Sequence, residues 1–229
     1  MEKWRVLLIT AHPDDETSCG GTLAKLADAG HEITVAVATS GNRGTQDPSI
    51  RPDQLAQIRE REMQEASYIL GVHKLIGLGY DDGTLADQAG LKEHLYRLIR
   101  SERPDIVITL DAWRKYEFHP DHRALGLAAT EAAYLADGCW YYPEHAEEGL
   151  KPWKPQEVYL IWSDDPNYSV DVCATWERKL LAADAHVSQS SGGRTFRENF
   201  VNWITLRAPG GEVQKEESFR KIYGTSLNI

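Results

Sequence analysis

Short apolar runs alternate with longer stretches of helical spacing along most of this chain. Residues 4–11 carry Val6-Leu7-Leu8-Ile9 and end in a turn-rich cluster, which predicts a buried strand. Gly21 to Ala29 places Leu23, Leu26 and Ala27 at helical spacing and stops at Gly30, a residue suited to a helix C-cap. His31 to Thr39 alternates through Ile33, Val35 and Val37 and predicts a second strand. Pro52 to Leu70 predicts a long amphipathic helix closed by Gly71. The same reading predicts strands over Lys74–Leu78, Asp105–Leu110 and Val158–Trp162. It predicts helices over Leu91–Arg100, His122–Leu135, Trp176–Ala185 and Thr195–Leu206. Tyr141 to Pro155, with Pro143, Pro152 and Pro155 among aromatic residues, predicts a long loop and a candidate lid. Trp140–Tyr142 and Trp153 are candidates for stacking on the flat face of a ligand or for packing the loop down. The tail from Gly210 is polar.

Strands alternating with helices over the first 160 residues predict an α/β fold with a mostly parallel sheet and helices on both faces. No internal repeat or linker interrupts residues 1–229, so a single domain is expected. No GxGxxG follows the first strand, which excludes the dinucleotide fingerprint. The formal net charge of −10, with no basic stripe, argues against a nucleic-acid partner. Cys19, Cys139 and Cys173 form neither a CxxC pair nor a disulfide framework. No stretch approaches the ~20 apolar residues of a membrane span, and a cytoplasmic protein is expected.

The densest chemistry is the run Ala11-His12-Pro13-Asp14-Asp15-Glu16, directly after the first strand. His119-Pro120-Asp121-His122 lies after the fourth. In open α/β sheets ligands bind beyond the carboxyl ends of the strands, so both clusters can meet at one rim. A hydrolytic zinc site needs about three protein ligands and an open position. His12, Asp15 and His122 can supply them, leaving Asp14 beside the water as a general base. His119 can stabilise an oxyanion or protonate a leaving amine. Asp121 can hydrogen-bond His119, raising its pKa and holding it charged. Taken singly, the first cluster can also be a helix-capping turn and the second a helix start. Two imidazoles and a carboxylate also suit Fe²⁺ or another divalent metal. Another metal-dependent hydrolysis of a small molecule, of an amide or a phosphoester, is the alternative reaction.

With these motifs the chain resembles the PIG-L/LmbE-like family of zinc-dependent N-acetylglucosaminyl de-N-acetylases. The likeness also runs through the Gly41–Gly44 loop, Arg59-x-x-Glu62, Leu70-Gly71, Asp82-Gly83, and Lys179 to Ala185-His186-x-Ser188-Gln189, in all about residues 4–190. It implies a Rossmann-like fold and removal of acetate from an N-acetylglucosamine-type sugar. It also implies a homo-oligomer. It assigns His12, Asp15 and His122 to the metal, Asp14 to the general base and His119 to charge stabilisation. Arg59, Asp82 and His186 are expected at the substrate. One departure stands out: Glu117 occupies a position, two residues before His119, where relatives sometimes carry a tyrosine.

Overall fold

The computed structural model describes residues 3–207 and 214–223. Among the described residues seven strands are formed: β1 (Arg5–Thr10), β2 (Glu32–Thr39), β3 (Lys74–Tyr80), β4 (Ile106–Leu110), β5 (Glu157–Ile161), β6 (Tyr168–Asp171) and β7 (Glu216–Tyr223). The helices are α1 (Gly20–Asp28), α2 (Pro52–Leu70), α3 (Leu91–Glu102), α4 (Pro120–Leu135), α5 (Glu144–Glu147), α6 (Trp176–Ala185) and α7 (Phe196–Arg207). One sheet holds all seven strands in the order β3-β2-β1-β4-β5-β7-β6. β1 to β5 are parallel, and β7 runs antiparallel to both β5 and β6.

This order decides where ligands can bind. The chain builds outward from β1 to β3, then returns to place β4 on the other side of β1. Right-handed crossovers therefore put the helices of the two halves on opposite faces. Strand order reverses between β1 and β4, and the crevice of such a sheet opens at that point, beyond the strands' carboxyl ends. Val6 pairs with Ile106 and Leu8 with Ile108, so Thr10 and Leu110 emerge at the same rim. β1 and β4 are buried almost throughout. Central parallel strands covered on both faces read as continuous apolar runs, and both runs were visible in the sequence.

Two features depart from the expected architecture. β6 and β7 close the sheet where no strands were foreseen. β7 reads Glu-Glu-Ser-Phe-Arg-Lys-Ile-Tyr, and its core-facing positions include the buried Glu217 beside the buried Phe219. A buried charge erases the apolar alternation that identifies a strand. Residues 208–213, where the polar tail was expected to begin, lie outside the described residues.

The second departure is the segment 141–155, which is not a lid. It contains α5 and packs at the amino ends of the strands, away from the rim. The Arg100 guanidinium donates to the carbonyls of Ala136 and Gly138 at 3.0 and 2.9 Å. The Trp153 indole N–H donates to Pro104 O at 2.7 Å, just before β4. His145 is fully buried, 2.7 Å from Glu93. Here Tyr142 and Trp153 pack the segment down, while Trp140 stands exposed. Among the described residues, no helix is long and apolar enough to cross a membrane.

A buried ion pair ties β7 to the first crossover. Lys179 on α6 lies 2.5 Å from Glu217, and both side chains are 3% exposed. Glu217 also accepts the N–H groups of Gly21 and Thr22 at 2.9 and 2.7 Å, at the start of α1. A carboxylate suits a helix N-terminus, where backbone donors lack partners. Gly21 is required by a neighbouring contact, because a Cβ there would lie 2.7 Å from Val172 Cβ. Glu217→Ala would strand a buried ammonium and two backbone donors. It is expected to cost about 3–5 kcal/mol in urea unfolding; a loss below about 1 kcal/mol would show that the pair is solvated.

Candidate active site

The turn after β1 is built by its own carboxylate. Asp15 Oδ2 accepts the N–H groups of Ala11 and His12 at 3.0 and 2.9 Å. That leaves Asp15 Oδ1 facing outward, 3.6 Å from His122 Nε2. α4 starts at Pro120, a residue suited to the first helical turn, and delivers Asp121 and His122 to the same point. His12 Nδ1 and His122 Nε2 face one another at 3.1 Å, and Asp15 Oδ2 is 3.7 Å from His12 Nδ1.

Behind each imidazole stands a carboxylate. His12 Nε2 donates to Asp121 Oδ2 at 3.1 Å and lies 3.2 Å from Asp82 Oδ1. Asp121 is itself fixed, accepting Gly83 N–H at 2.6 Å and Leu85 N–H at 2.9 Å. Behind His122, Glu117 Oε1 lies 3.5 Å from Nδ1. At His12 the carboxylate bonded to the far nitrogen sets the tautomer so that the near nitrogen presents a lone pair; at His122 the nearby Glu117 carboxylate favours a proton on Nδ1, with the same result at Nε2. Two lone pairs and a carboxylate oxygen then converge on one gap, which favours a cation. The His12 Nδ1–His122 Nε2 separation of 3.1 Å and the His122 Nε2–Asp15 Oδ1 separation of 3.6 Å bracket the ~3.4 Å edge of a tetrahedral zinc with bonds of about 2.0–2.1 Å. The donor set fits such an ion. His119 also brings a ring nitrogen within reach of this group, and Asp82 and Asp121 form a second close group with His12. In the second group, His12 Nε2 and the backbone donors already engage Asp121, so it reads as support behind the imidazole.

The electrostatics express the same demand for positive charge. Burial opposes a charge on His12, but Asp121, Asp82 and Asp15 prevail and raise its pKa to about 10. Burial pushes the Asp15 carboxyl upward despite His12 and its two backbone donors. At His122, burial and the nearby His12 lower the pKa to about 4, against the pull of Glu117. A neutral imidazole is the form that ligates metal.

Asp14 is held in an unusual conformation. Its φ of 125° is a backbone geometry that a residue with a Cβ rarely adopts, a strain of about 1–3 kcal/mol that surrounding contacts must hold. The buried Glu16 accepts Asp14 N–H at 2.9 Å, and Thr17 Oγ1 donates to Asp14 O at 2.6 Å. Arg59 Nη2 donates to Asp14 Oδ2 at 3.0 Å and to Pro13 O. Arg59 Nη1 donates to Gly41 O at 3.0 Å. Gly41 sits at φ 61° directly against this guanidinium, where a Cβ would collide with it. Burial raises the Asp14 pKa to about 6, with Arg59 opposing the rise.

Several sequence expectations change here. Arg59, expected at the substrate, is 2% exposed, and its Nη atoms serve protein oxygens. Glu62, the other end of the Arg59-x-x-Glu62 motif, accepts Ser188 N–H and Oγ–H at 2.7 and 2.6 Å. His186, also expected at the substrate, is fully buried and donates to Glu16 Oε1 at 2.6 Å. Burial works against its charge, but Glu16 raises its pKa. Asp82 is 8% exposed, and its carboxylate faces His12. Burial opposes its charge, while His12 holds its carboxyl below the ordinary value.

The expected Asp121–His119 side-chain bond is replaced by the opposite arrangement. The Asp121 carboxylate turns to His12, and its backbone N–H donates to His119 Nδ1 at 3.3 Å. His119 therefore carries its proton on Nε2. Burial, with His12 and His122 nearby, lowers its pKa rather than raising it. Glu117 positions His119 by accepting its N–H at 3.0 Å and pairs with Arg114 at 3.0 Å. Sequence reading missed the Glu16–His186 pair and the place of Glu117 behind His122. The only signals were an unassigned acid in the first cluster and a departure from the family pattern.

The profile of the GlcNAc-PI de-N-acetylases (PIG-L) matches residues 7–133, more than half of the 229 residues. The chain belongs to the PIG-L family. It is 37% identical over 186 residues to the diacetylchitobiose deacetylase of Thermococcus kodakarensis, covering 81% of this chain and 70% of that protein. It is 32% identical to the 1D-myo-inositol 2-acetamido-2-deoxy-alpha-D-glucopyranoside deacetylase 1 of Catenulispora acidiphila, over 71% of this chain. There the match spans 56% of the relative's length. The crystal structure of N,N'-diacetylchitobiose deacetylase from Pyrococcus horikoshii, complexed with its inhibitor MPG, superposes with a TM-score of 0.90. It is 33% identical and covers all of this chain and 87% of that one. Both PIG-L motif clusters fall within the matched segment, so the family assignment and the convergence of donors concern the same residues.

Because Arg59 is buried against Asp14 and not open to a ligand, Arg59→Lys is expected to lower kcat by about 10²-fold with KM changed less than about threefold. Small misplacements of a reacting group cost on this scale. Steady-state kinetics separate the cases, since a rise confined to KM would return Arg59 to the substrate.

Proposed function

We propose that this chain is a zinc-dependent hydrolase that removes the acetyl group from an N-acetylglucosamine-type sugar or conjugate. One observation carries the reading. Two imidazole nitrogens 3.1 Å apart share a gap with a carboxylate, and a second carboxylate, Asp14, is held beside them by Arg59. The relatives' names supply the chemical class: each carries an N-acetylated amino sugar joined to a second ring. One sheet runs through the whole described chain, which supports a single catalytic domain over residues 1–229.

His12, His122 and Asp15 would hold the ion. Bound there, zinc supplies Lewis acidity, polarising the acetyl carbonyl and easing deprotonation of water. Asp14 accepts the proton of the attacking water as general base. Arg59 and Glu16 hold Asp14 in the position this transfer needs. His119 offers its Nε2–H as a hydrogen-bond donor where the carbonyl oxygen gains charge. Its Nδ1 already accepts the Asp121 N–H, so His119 holds no second proton to give. The proton on Asp14 is therefore the one returned to the departing amine. Asp121 and Glu117 fix the imidazoles of His12 and His122, a role whose loss weakens metal sites by about 10–100-fold.

The two aspartates are expected to fail in different ways. Asp14→Asn retains metal and loses turnover by about 10²–10⁴-fold, whereas Asp15→Ala loses the metal itself. Elemental analysis alongside acetate release from N-acetylglucosamine derivatives reads both. Metal-loaded wild-type protein that releases no acetate across a panel of such conjugates would overturn the deacetylase reading. Metal loss in Asp14→Asn with metal retained in Asp15→Ala would exchange the two roles.

A further inference from the structure

We propose that the cavity between α1 and the amino half of the sheet is a second binding site, for a single-ring aromatic carboxylate. It lies apart from the donor cluster and does not depend on the reaction proposed there. Trp4 immediately precedes β1, Ile106 opens β4 and Ala29 follows the last turn of α1, and all three line the cavity. The site therefore opens toward the end of the strands opposite His12 and His122. Its volume is about 240 Å³. An apolar cavity of about 150 Å³ already holds a benzene ring, so this one has room for a ring with a short polar substituent.

Three strands form the floor. Ile106 and Ile108 come from β4, Tyr159 from β5 and Phe219 from β7, and each is 9% exposed or less. Two further aromatic rings stand at the rim, Trp4 at 38% and Tyr168 at 43% exposure. Both are already held by other rings. Trp4 stacks on His31 with centroids 5.2 Å apart, and its backbone N–H donates to His31 Nδ1 at 3.1 Å. Tyr168 meets Tyr159 edge-to-face at 5.2 Å, and Tyr159 meets Phe219 in the same way at 5.9 Å. Rings fixed by one another leave a gap that a further ring enters edge-to-face or offset-stacked, the arrangements aromatic pairs favour. Little ordering of the walls is then needed on binding.

Charge selects the substituent. Among the described residues, no carboxylate lines the cavity and one charged side chain does, Lys25 on α1. Its ammonium donates to Asp171 O at 2.9 Å, while the Asp171 carboxylate accepts the Cys173 N–H at 2.8 Å. An ammonium carries three donors, so Lys25 has capacity left for a ligand. Lys221 lies on the same face of β7 as Phe219, 5.2 and 5.3 Å from the Tyr159 and Tyr168 rings, and pairs with Glu157 at 2.6 Å. A cationic edge above an aromatic floor complements a flat ring bearing one carboxylate. A cationic ligand would be repelled by Lys25. A polyol would leave its hydroxyl groups against Ile106, Ile108 and Phe219, which offer them no hydrogen bonds.

The test is calorimetric titration of the full chain with benzoate and, as its uncharged counterpart, benzyl alcohol. Benzoate is expected to bind saturably with a Kd of about 1 mM or lower, and more tightly than benzyl alcohol. Lys25→Gln is expected to weaken benzoate about threefold, the scale of one exposed charge pair, and to leave benzyl alcohol nearly unchanged. Tyr168→Ala is expected to weaken both probes about fivefold, the scale of one lost aromatic contact, and Tyr168→Phe to keep both. A carboxylate bound at the donor cluster instead would be insensitive to residues on α1 and β6. A loss of benzoate affinity below about twofold in either Lys25→Gln or Tyr168→Ala would therefore overturn the site. So would the absence of saturable binding up to about 10 mM benzoate, or benzyl alcohol bound as tightly as benzoate.

Discussion

Three buried carboxylates converge on the single imidazole of His12. Asp121 and Asp82 face its Nε2, and Asp15 approaches its Nδ1. Negative charge at this density is unstable in a protein interior without a compensating cation. A proton on His12 meets that demand in the free chain, which is why its pKa is raised to about 10. The divalent ion of the proposed function, held by His12, His122 and Asp15, would meet it better, because it would neutralise more charge and use the lone pairs facing the gap. The surrounding structure serves this requirement. Backbone donors of Ala11, His12, Gly83 and Leu85 fix the carboxylates without adding charge.

The same constraint explains why Asp14 is set apart from its neighbours. Asp15 faces inward to close the turn and leaves one oxygen toward His122. Asp14, adjacent in sequence, needs a strained backbone to point elsewhere. Glu16 and His186 form a fully buried pair that holds the Asp14 amide, while Arg59 holds its carboxylate. Arg59 and His186 are therefore enclosed by protein groups on the side of Asp14 away from solvent, and on the proposed function they would act through Asp14.

Lys179 gives the fold a second dependence on buried charge. It donates to Ser18 O at 3.0 Å, and Ser18 in turn accepts the Trp162 indole N–H. The ion pair that pins β7 to α1 thus reaches Trp162, whose ring centroid lies 5.0 Å from that of His122, through one shared residue. Stability at this edge of the sheet and the placement of an aromatic ring beside His122 rest on the same contacts.

The apolar runs of β1, β2 and β4 and the periodicity of α2 were legible in the sequence, since strands buried on both faces and long amphipathic helices carry strong local patterns. The two motif clusters, their placement at one rim and their family likeness were legible for the same local reason. β7 was not, because its buried Glu217 is tolerated only with Lys179, 38 residues away in sequence. Nor were the partners of single polar residues: that Glu16 meets His186, that Asp121 turns to His12 and away from His119, and that Arg59 is enclosed. The sequence by itself determined which chemistry gathers at the rim, because ligand types and strand ends are local properties. Only the tertiary structure decided which carboxylate supports which imidazole and which aromatic residues stand beside them, because those choices depend on distances between segments far apart in the chain.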